Sequence, residues 1–306
     1  NTDQVLFSPI TSLDFASVDN NTSIDLIAMV GTHPLYPILD ICPGDDDGPY
    51  FAHDIFGSPS LDMLTLGGHK SIVEDFNGDG EMDIALCRGL EDNGLNAYSS
   101  SLIVWGPDWG ANQTTPLSTP NCGDLIAADM DDDGDLDLVL ATASEDGSVD
   151  SRLYKGPDFL IKVDLDVRAS AKVIAGDFDS DGYMDLVFGQ NPIGIDWNRD
   201  VPVYWGFEGL AFQEVTSVEA MGCIYPQIAE AGNGEGLDLI CPNLKGYVNV
   251  QTNEYDVNGS LTEEPPSYIY WGAQNHRYNE LSRKSLHPGG ALHALSGDFN
   301  ENGTPD

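Results

Sequence analysis

Short apolar runs recur along the chain at nearly even intervals, each beside a polar or acidic turn. A first run, such as Ser71-Ile-Val, Asp124-Leu-Ile-Ala-Ala or Ala171-Lys-Val-Ile-Ala, leads into an acidic string. A second run leads out of it: Asp83-Ile-Ala-Leu, Asp137-Leu-Val-Leu, Asp185-Leu-Val-Phe and Asp238-Leu-Ile. After a gap comes a third run closed by glycine, at Ser101–Gly106, Arg152–Gly156, Val203–Gly206 and Tyr268–Gly272. These runs are rich in β-branched and aromatic residues and are bounded by Gly, Pro, Asn and Asp, so they predict strands. No stretch sustains the three-to-four-residue spacing of an amphipathic helix. The pattern therefore predicts an all-β chain.

The acidic strings share one spacing, D-x-[DN]-x-[DN]-G-x-x-D. It is met at Asp75–Asp83, Asp129–Asp137 and Asp177–Asp185, and at Asp298–Asp306 with Asn302 in fifth place. Oxygen-bearing side chains fall at positions 1, 3, 5 and 9 of each string. Glycine at position 6 permits the turn, and the backbone carbonyl of position 7 adds an oxygen, a set suited to a hard cation. The candidate ligands are Asp75, Asn77, Asp79, Glu81 and Asp83; Asp129, Asp131, Asp133, Asp135 and Asp137; Asp177, Asp179, Asp181, Tyr183 and Asp185; and Asp298, Asn300, Asn302, Thr304 and Asp306. Ca²⁺ in three to four sites is the expected cofactor, acting as a staple between two strands. The ligand set offers a reaction no open position.

Set in register, the strings act as a ruler. Asp75 to Asp129 spans 54 positions (129 − 75), Asp129 to Asp177 spans 48 (177 − 129), and Asp177 to Asp298 spans 121 (298 − 177). The long interval predicts a worn copy between, found at Glu230–Asp238; another is expected upstream around Asp14-Phe15 and Ile24-Asp25-Leu26. A unit of about 50 residues with three or four short strands is the signature of a β-propeller. Here the chain resembles the FG-GAP/VCBS repeats of integrin α-subunit propellers, whose loop between the first two strands of a blade carries this motif. The resemblance implies a propeller of four-stranded antiparallel blades, seven when complete. On that count residues 1–306 form a single domain with five complete blades and the inner strand of a sixth. A chain stopping on the last ligand of a loop is expected to be part of something longer.

Charge narrows the partners. Twelve Lys and Arg stand against 51 Asp and Glu, a formal net charge of −39. Such a surface repels nucleic acid and anionic membranes. No apolar stretch approaches the roughly 20 residues needed to span a bilayer. The five cysteines, Cys42, Cys87, Cys122, Cys223 and Cys241, form no C-x-x-C pair. Cys223 and Cys241 flank one predicted strand pair and are the expected disulfide. The glycosylation pattern N-x-[ST] at Asn20, Asn21, Asn112, Asn258 and Asn302, with the calcium-type loops, favours a secreted, oxidising setting.

Trp105, Trp205 and Trp271, with Tyr204 and Tyr270, repeat within the units. They read first as wedges between neighbouring blades and second as sugar-stacking platforms. His69 and His293 precede acidic strings and read as structural histidines. The function expected is a non-enzymatic, extracellular adhesion, assembly or structural module that binds protein, glycan or copies of itself through a loop face of the ring. The alternatives are a propeller lectin or a part of a polysaccharide-acting lyase or hydrolase.

Overall fold

The computed structural model describes residues 10–16, 25–30, 38–42, 63–64, 68–89, 100–107, 113–143, 149–230, 236–248, 260–262, 264–272, 277–278, 281, 283–287 and 289–299. Among them are strands and turns but no α-helix. The strands form five four-stranded antiparallel sheets, in chain order. The first comprises β1 (Ile10–Ala16), β2 (Asp25–Val30), β3 (Ile38–Cys42) and β4 (Met63–Leu64). The second comprises β5 (Gly68–Glu74), β6 (Asp83–Arg88), β7 (Ser100–Val104) and β8 (Thr114–Pro120). The third comprises β9 (Cys122–Ala128), β10 (Asp137–Thr142), β11 (Ser151–Tyr154) and β12 (Lys162–Leu165). The fourth comprises β13 (Ser170–Gly176), β14 (Asp185–Gln190), β15 (Val201–Phe207) and β16 (Ala211–Val218). The fifth opens with β17 (Gln227–Ala229) and β18 (Asp238–Cys241), carries an inserted hairpin of β19 (Gly246–Val248) and β20 (Ser260–Thr262), and closes with β21 (Ser267–Tyr270) and β22 (Lys284–Leu286).

Each sheet is an up-and-down meander, and the first strands of the first four sheets pack in series, β1 on β5, β5 on β9 and β9 on β13. Strands β10 and β14 are buried along their whole length. That is why they read as unbroken apolar runs rather than as alternating ones. The period-2 geometry still operates, but both faces meet protein. Leu138 and Leu140 join a cluster with Ala85, Ile103 and Leu117 of the second sheet. Val139 and Ala141 face the other way, into a cluster with Val173, Leu186 and Phe188 of the fourth. Val187, between Leu186 and Phe188, turns toward Leu239, Tyr268 and Tyr270 of the fifth. The second to fifth sheets therefore stack face on face, and the core described is a series of inter-sheet layers.

A single register governs the start of every second strand. Asp25 pairs with Ala16, Asp83 with Glu74, Asp137 with Ala128, Asp185 with Gly176 and Asp238 with Ala229. The connections are residues 17–24, 75–82, 129–136, 177–184 and 230–237, eight in each case. This frame corrects the upstream copy. Asp14 lies within β1 opposite Ile27, so it opens no loop. The matching nonapeptide is instead Ser17-Val-Asp-Asn-Asn-Thr-Ser-Ile-Asp25, with Ser at position 1 and Thr22 in place of the glycine. Its loop residues lie outside the described ones. Residues 289–299, where the inner strand of a further unit is expected, form no strand.

The disulfide expectation is also corrected. Cys87, in β6, is bonded to Cys122, the first residue of β9, with Cα atoms 5.3 Å apart. The bond ties the second sheet to the third. Cys223 and Cys241 are neighbours, as their flanking positions imply, but both are buried free thiols. Enclosure in the layer of Trp205, Tyr268 and Tyr270 pushes the Cys223 thiol up, and contact with Cys241 adds to the shift. Proteolysis without reductant, followed by mass spectrometry, should release a Cys87–Cys122 cross-linked peptide. Cys223 and Cys241 should alkylate only after unfolding. A Cys223–Cys241 peptide would reverse the assignment.

Candidate metal centres

The three fully described acidic loops fold by one hydrogen-bond scheme, set by carboxylates accepting backbone N–H groups. The position-1 acid closes the turn. Asp75, Asp129 and Asp177 each accept the position-5 N–H on Oδ1, at 3.1, 3.1 and 3.0 Å. Each accepts the position-6 glycine N–H on Oδ2, at 2.9, 3.0 and 3.0 Å. The position-5 acid accepts the N–H two residues on: Glu81 onto Asp79, Asp135 onto Asp133 and Tyr183 onto Asp181, at 2.8, 3.0 and 2.9 Å. Gly80, Gly134 and Gly182 have φ of 92°, 93° and 94°, which excludes other residues without strain. Position 4 is left-handed too, but Gly78 meets that need only in the first loop; Asp132 and Ser180 adopt φ of 58° and 63° in the others.

Position 9 does more than close the motif. Asp83, Asp137 and Asp185 are wholly buried. Their Oδ2 atoms accept the position-2 N–H of Phe76, Met130 and Phe178, at 3.1, 2.9 and 2.8 Å. Their Oδ1 atoms accept the N–H of Gly106, Gly156 and Gly206, at or just past the ends of the third strands, at 2.8, 2.9 and 2.7 Å. In the worn copy Asp238 keeps the second bond, to Gly272 at 2.6 Å. The glycine is required here. A Cβ on Gly106, Gly156 or Gly206 would lie 2.3 Å from the carbonyl oxygen of Met82, Leu136 or Met184. Burial pushes Asp137 up to about 6 and Asp185 up to about 7, and raises Asp83, despite these donors. The position-2 side chains plug the core beneath: Phe76, Met130 and Phe178 are 2%, 6% and 1% exposed.

Carboxylate oxygens converge above that plug. Oxygens of Asp129, Asp131 and Asp137 lie within 4.8 Å of one another, as do those of Asp177, Asp179 and Asp185. Two half-buried to buried aspartate clusters can thus hold a metal ion. The Oδ1 atom of Asp131 is buried without a hydrogen-bond donor. An all-oxygen donor set of this kind suits a hard cation. The first loop has only two carboxylates at the corresponding positions, since Asn77 stands at position 3 and its Oδ1 accepts the Asp79 N–H at 2.9 Å.

One residue escaped the sequence reading. Lys155 Nζ is bonded to Asp131 Oδ2, and to Asp133 Oδ2 at 2.5 Å. The two carboxylates hold the ammonium above its ordinary range, and Lys155 in turn holds Asp133 below the usual carboxylate range. The signal was present: Lys155 precedes Gly156 where Trp105, Trp205 and Trp271 precede their own glycines.

Of the fourth string, Asp298 is exposed and the position-2 residue Phe299 is 70% exposed, unlike its counterparts. Asn300, Asn302, Thr304 and Asp306 lie outside the described residues, as do the glycosylation candidates Asn20, Asn21, Asn112 and Asn258. Trp205 is fully buried against Tyr278, its Nε1–H donating to Thr216 at 2.7 Å. Trp105 packs on Phe159 of the third sheet and Trp271 on Ile240 and Ile269. Tyr204 and Tyr270 are buried as well. The aromatic repeat is thus a packing device. His293 stacks on Tyr225 at 4.4 Å. Compared with protein-family models and with curated proteins, the chain finds no match in either.

Proposed function

We propose that the chain is an extracellular, calcium-stapled β-propeller that serves as an adhesion, assembly or structural binding module for protein or glycan. The observation that carries this reading is the threefold recurrence of one loop frame over a buried position-2 plug, with three carboxylate oxygens converging in two of the copies. Five consecutive four-stranded meanders, the first four with their first strands packed in series and the second to fifth sharing core layers, are what blades of a propeller require. Calcium suits the loops better than magnesium because it accepts higher coordination and looser geometry. The Cys87–Cys122 bond and the glycosylation patterns favour an oxidising compartment. Packing of the repeated tryptophans, with Trp205 fully buried and Trp105 and Trp271 partly so, favours a protein-binding or structural module over repeated sugar sites.

In this reading the ion does no chemistry. Asp177, Asp179, Asp181 and Asp185, with the Tyr183 carbonyl, would hold it in the third loop, and the other two loops would do so by the same positions. Calcium would supply charge neutralisation where acids crowd, and the backbone N–H groups orient the carboxylates before it arrives. Equilibrium dialysis of the full chain should recover at least three calcium ions per molecule, with equimolar magnesium displacing none. Asp181→Asn should lose one. Recovery of fewer than two ions, or indifference between the two metals, would end the calcium reading.

A further inference from the structure

We infer that Lys155 is a built-in counter-ion for the Asp129–Asp137 loop, so that a divalent cation enters that loop only by displacing the lysine ammonium. This rests on the calcium reading above and assigns the three loops unequal affinities.

The geometry is specific to one unit. Lys155 leaves β11 and donates its backbone N–H to Ile161 at 2.9 Å, as Trp105 does to Gln113 at 2.9 Å. The next glycine in both units donates to the position-9 carboxylate, Gly156 to Asp137 and Gly106 to Asp83. The residue before that glycine therefore stands beside the acidic loop. In the second and fourth sheets it is a tryptophan that turns away, its Nε1–H donating across the sheet to Thr115 or Thr216. In the third sheet it is a lysine that reaches 22 residues back, to Asp133, and also to Asp131. Asp131 and Asp133 hold positions 3 and 5, both expected ligands. The ammonium thus occupies oxygens that a calcium ion would need.

Formal charge gives the arrangement its logic. At positions 1, 3, 5, 7 and 9 the first loop carries four acids (Asp75, Asp79, Glu81, Asp83) and the third also four (Asp177, Asp179, Asp181, Asp185). The second carries five (Asp129, Asp131, Asp133, Asp135, Asp137), and Lys155 brings its sum from −5 to −4 (−5 + 1), equal to the others. Unneutralised, the second loop would bind calcium at least as tightly as the third, since both place four carboxylates at positions 1, 3, 5 and 9 and Asp135 adds a further nearby charge. With its ammonium seated on Asp131 and Asp133, the lysine makes this loop the weaker of the two, because the ion must displace it, and it keeps the loop folded when calcium is scarce. The Asp131 Oδ1 atom, buried and without a donor, remains as the foothold for the incoming ion.

The test is a calcium titration of the full chain against a chromophoric chelator, repeated on Lys155→Met, Lys155→Arg and Lys155→Trp. Replacing the charge with Met or Trp should tighten one site by about ten-fold or more, the scale expected when a unit charge within about 4 Å is removed. Lys155→Arg should stay close to the parent. In an Asp133→Asn background, where the second loop is disabled, Lys155→Met should change nothing. A structural role alone would not predict the accompanying sign change: Lys155→Met should melt lower than the parent in chelator and higher in saturating calcium. If Lys155→Met and Lys155→Trp leave every site unchanged while the Asp177 loop binds calcium, the lysine proposal is overturned and the calcium reading stands. If neither loop binds in any variant, both fall.

Discussion

Chelating divalent cations is expected to lower the thermal midpoint by about 15 °C, the largest single effect on this chain. Each site held at one hundred times its dissociation constant adds about 2.7 kcal/mol, so three sites approach about 8 kcal/mol, and a chain of this size shifts by roughly 2 °C per kcal/mol. The effect should fade as pH falls. Without metal, burial raises Asp83, Asp137 (to about 6) and Asp185 (to about 7) above the ordinary carboxylate value. A group whose folded pKa is raised adds stability that is complete below its unfolded pKa and lost as pH rises through the folded one. The metal-free protein should therefore melt higher at pH 5 than at pH 8, helped by relief of its −39 charge. The calcium form should show the opposite slope, because protons compete for the same oxygens. The two melting curves should converge as pH falls through about 6. Parallel curves, or a midpoint insensitive to chelator at pH 8, would remove the staple from the account.

What the sequence discloses here is what is local. The acidic strings are legible because the contacts that close their turns, from the position-1 acid to the N–H of positions 5 and 6, lie within nine residues. Second strands such as Asp185-Leu-Val-Phe are legible because burial on both faces leaves an unbroken apolar run. Errors arise where the decisive contact is between sheets or depends on register. Asp14-Phe15 imitates Asp75-Phe76 in residue type, yet only the pairing of Asp25 with Ala16 shows that the loop begins three residues later. Cys87 and Cys122 stand 35 residues apart and meet only because β6 and β9 belong to sheets that pack together. Cys223 and Cys241 meet as the sequence implies, but inside a layer that keeps them as thiols. The place of Lys155 before Gly156 marks it in the sequence, but its partners are 24 and 22 residues back, on the far side of two strands, and only the fold joins them.

Asp185→Ala should cost about 4 kcal/mol even with calcium removed, because position 9 is a structural acceptor before it is a ligand. Its two oxygens receive the N–H of Phe178 at 2.8 Å and of Gly206 at 2.7 Å, and both bonds are buried. Alanine strands both donors, and each buried group left without a partner costs roughly 1–3 kcal/mol. Water is poorly placed to substitute, since Phe178 is 1% exposed and Gly206 sits against the Met184 carbonyl. Asparagine should lie between, at about 2 kcal/mol: it removes the buried charge and keeps one acceptor, but aims its amide N–H₂ at the other donor. The comparison belongs at pH 8 in chelator, where Asp185 is ionised and metal contributes nothing. Asp181→Asn is the control. Asp181 is exposed and its Oδ1 accepts the Tyr183 N–H, a bond an amide oxygen can keep, so its cost in chelator should stay within about 0.5 kcal/mol. Calcium should then separate the variants by role. Asp181→Asn should lose much of the stabilisation calcium confers at its own loop, and Asp185→Ala should carry that loss on top of its metal-free deficit. Urea unfolding of the four proteins with and without calcium measures all of these terms. Equal stability of Asp185→Ala and the parent in chelator would mean that the two strands and the glycine turn are held together by other contacts, leaving position 9 as a ligand only.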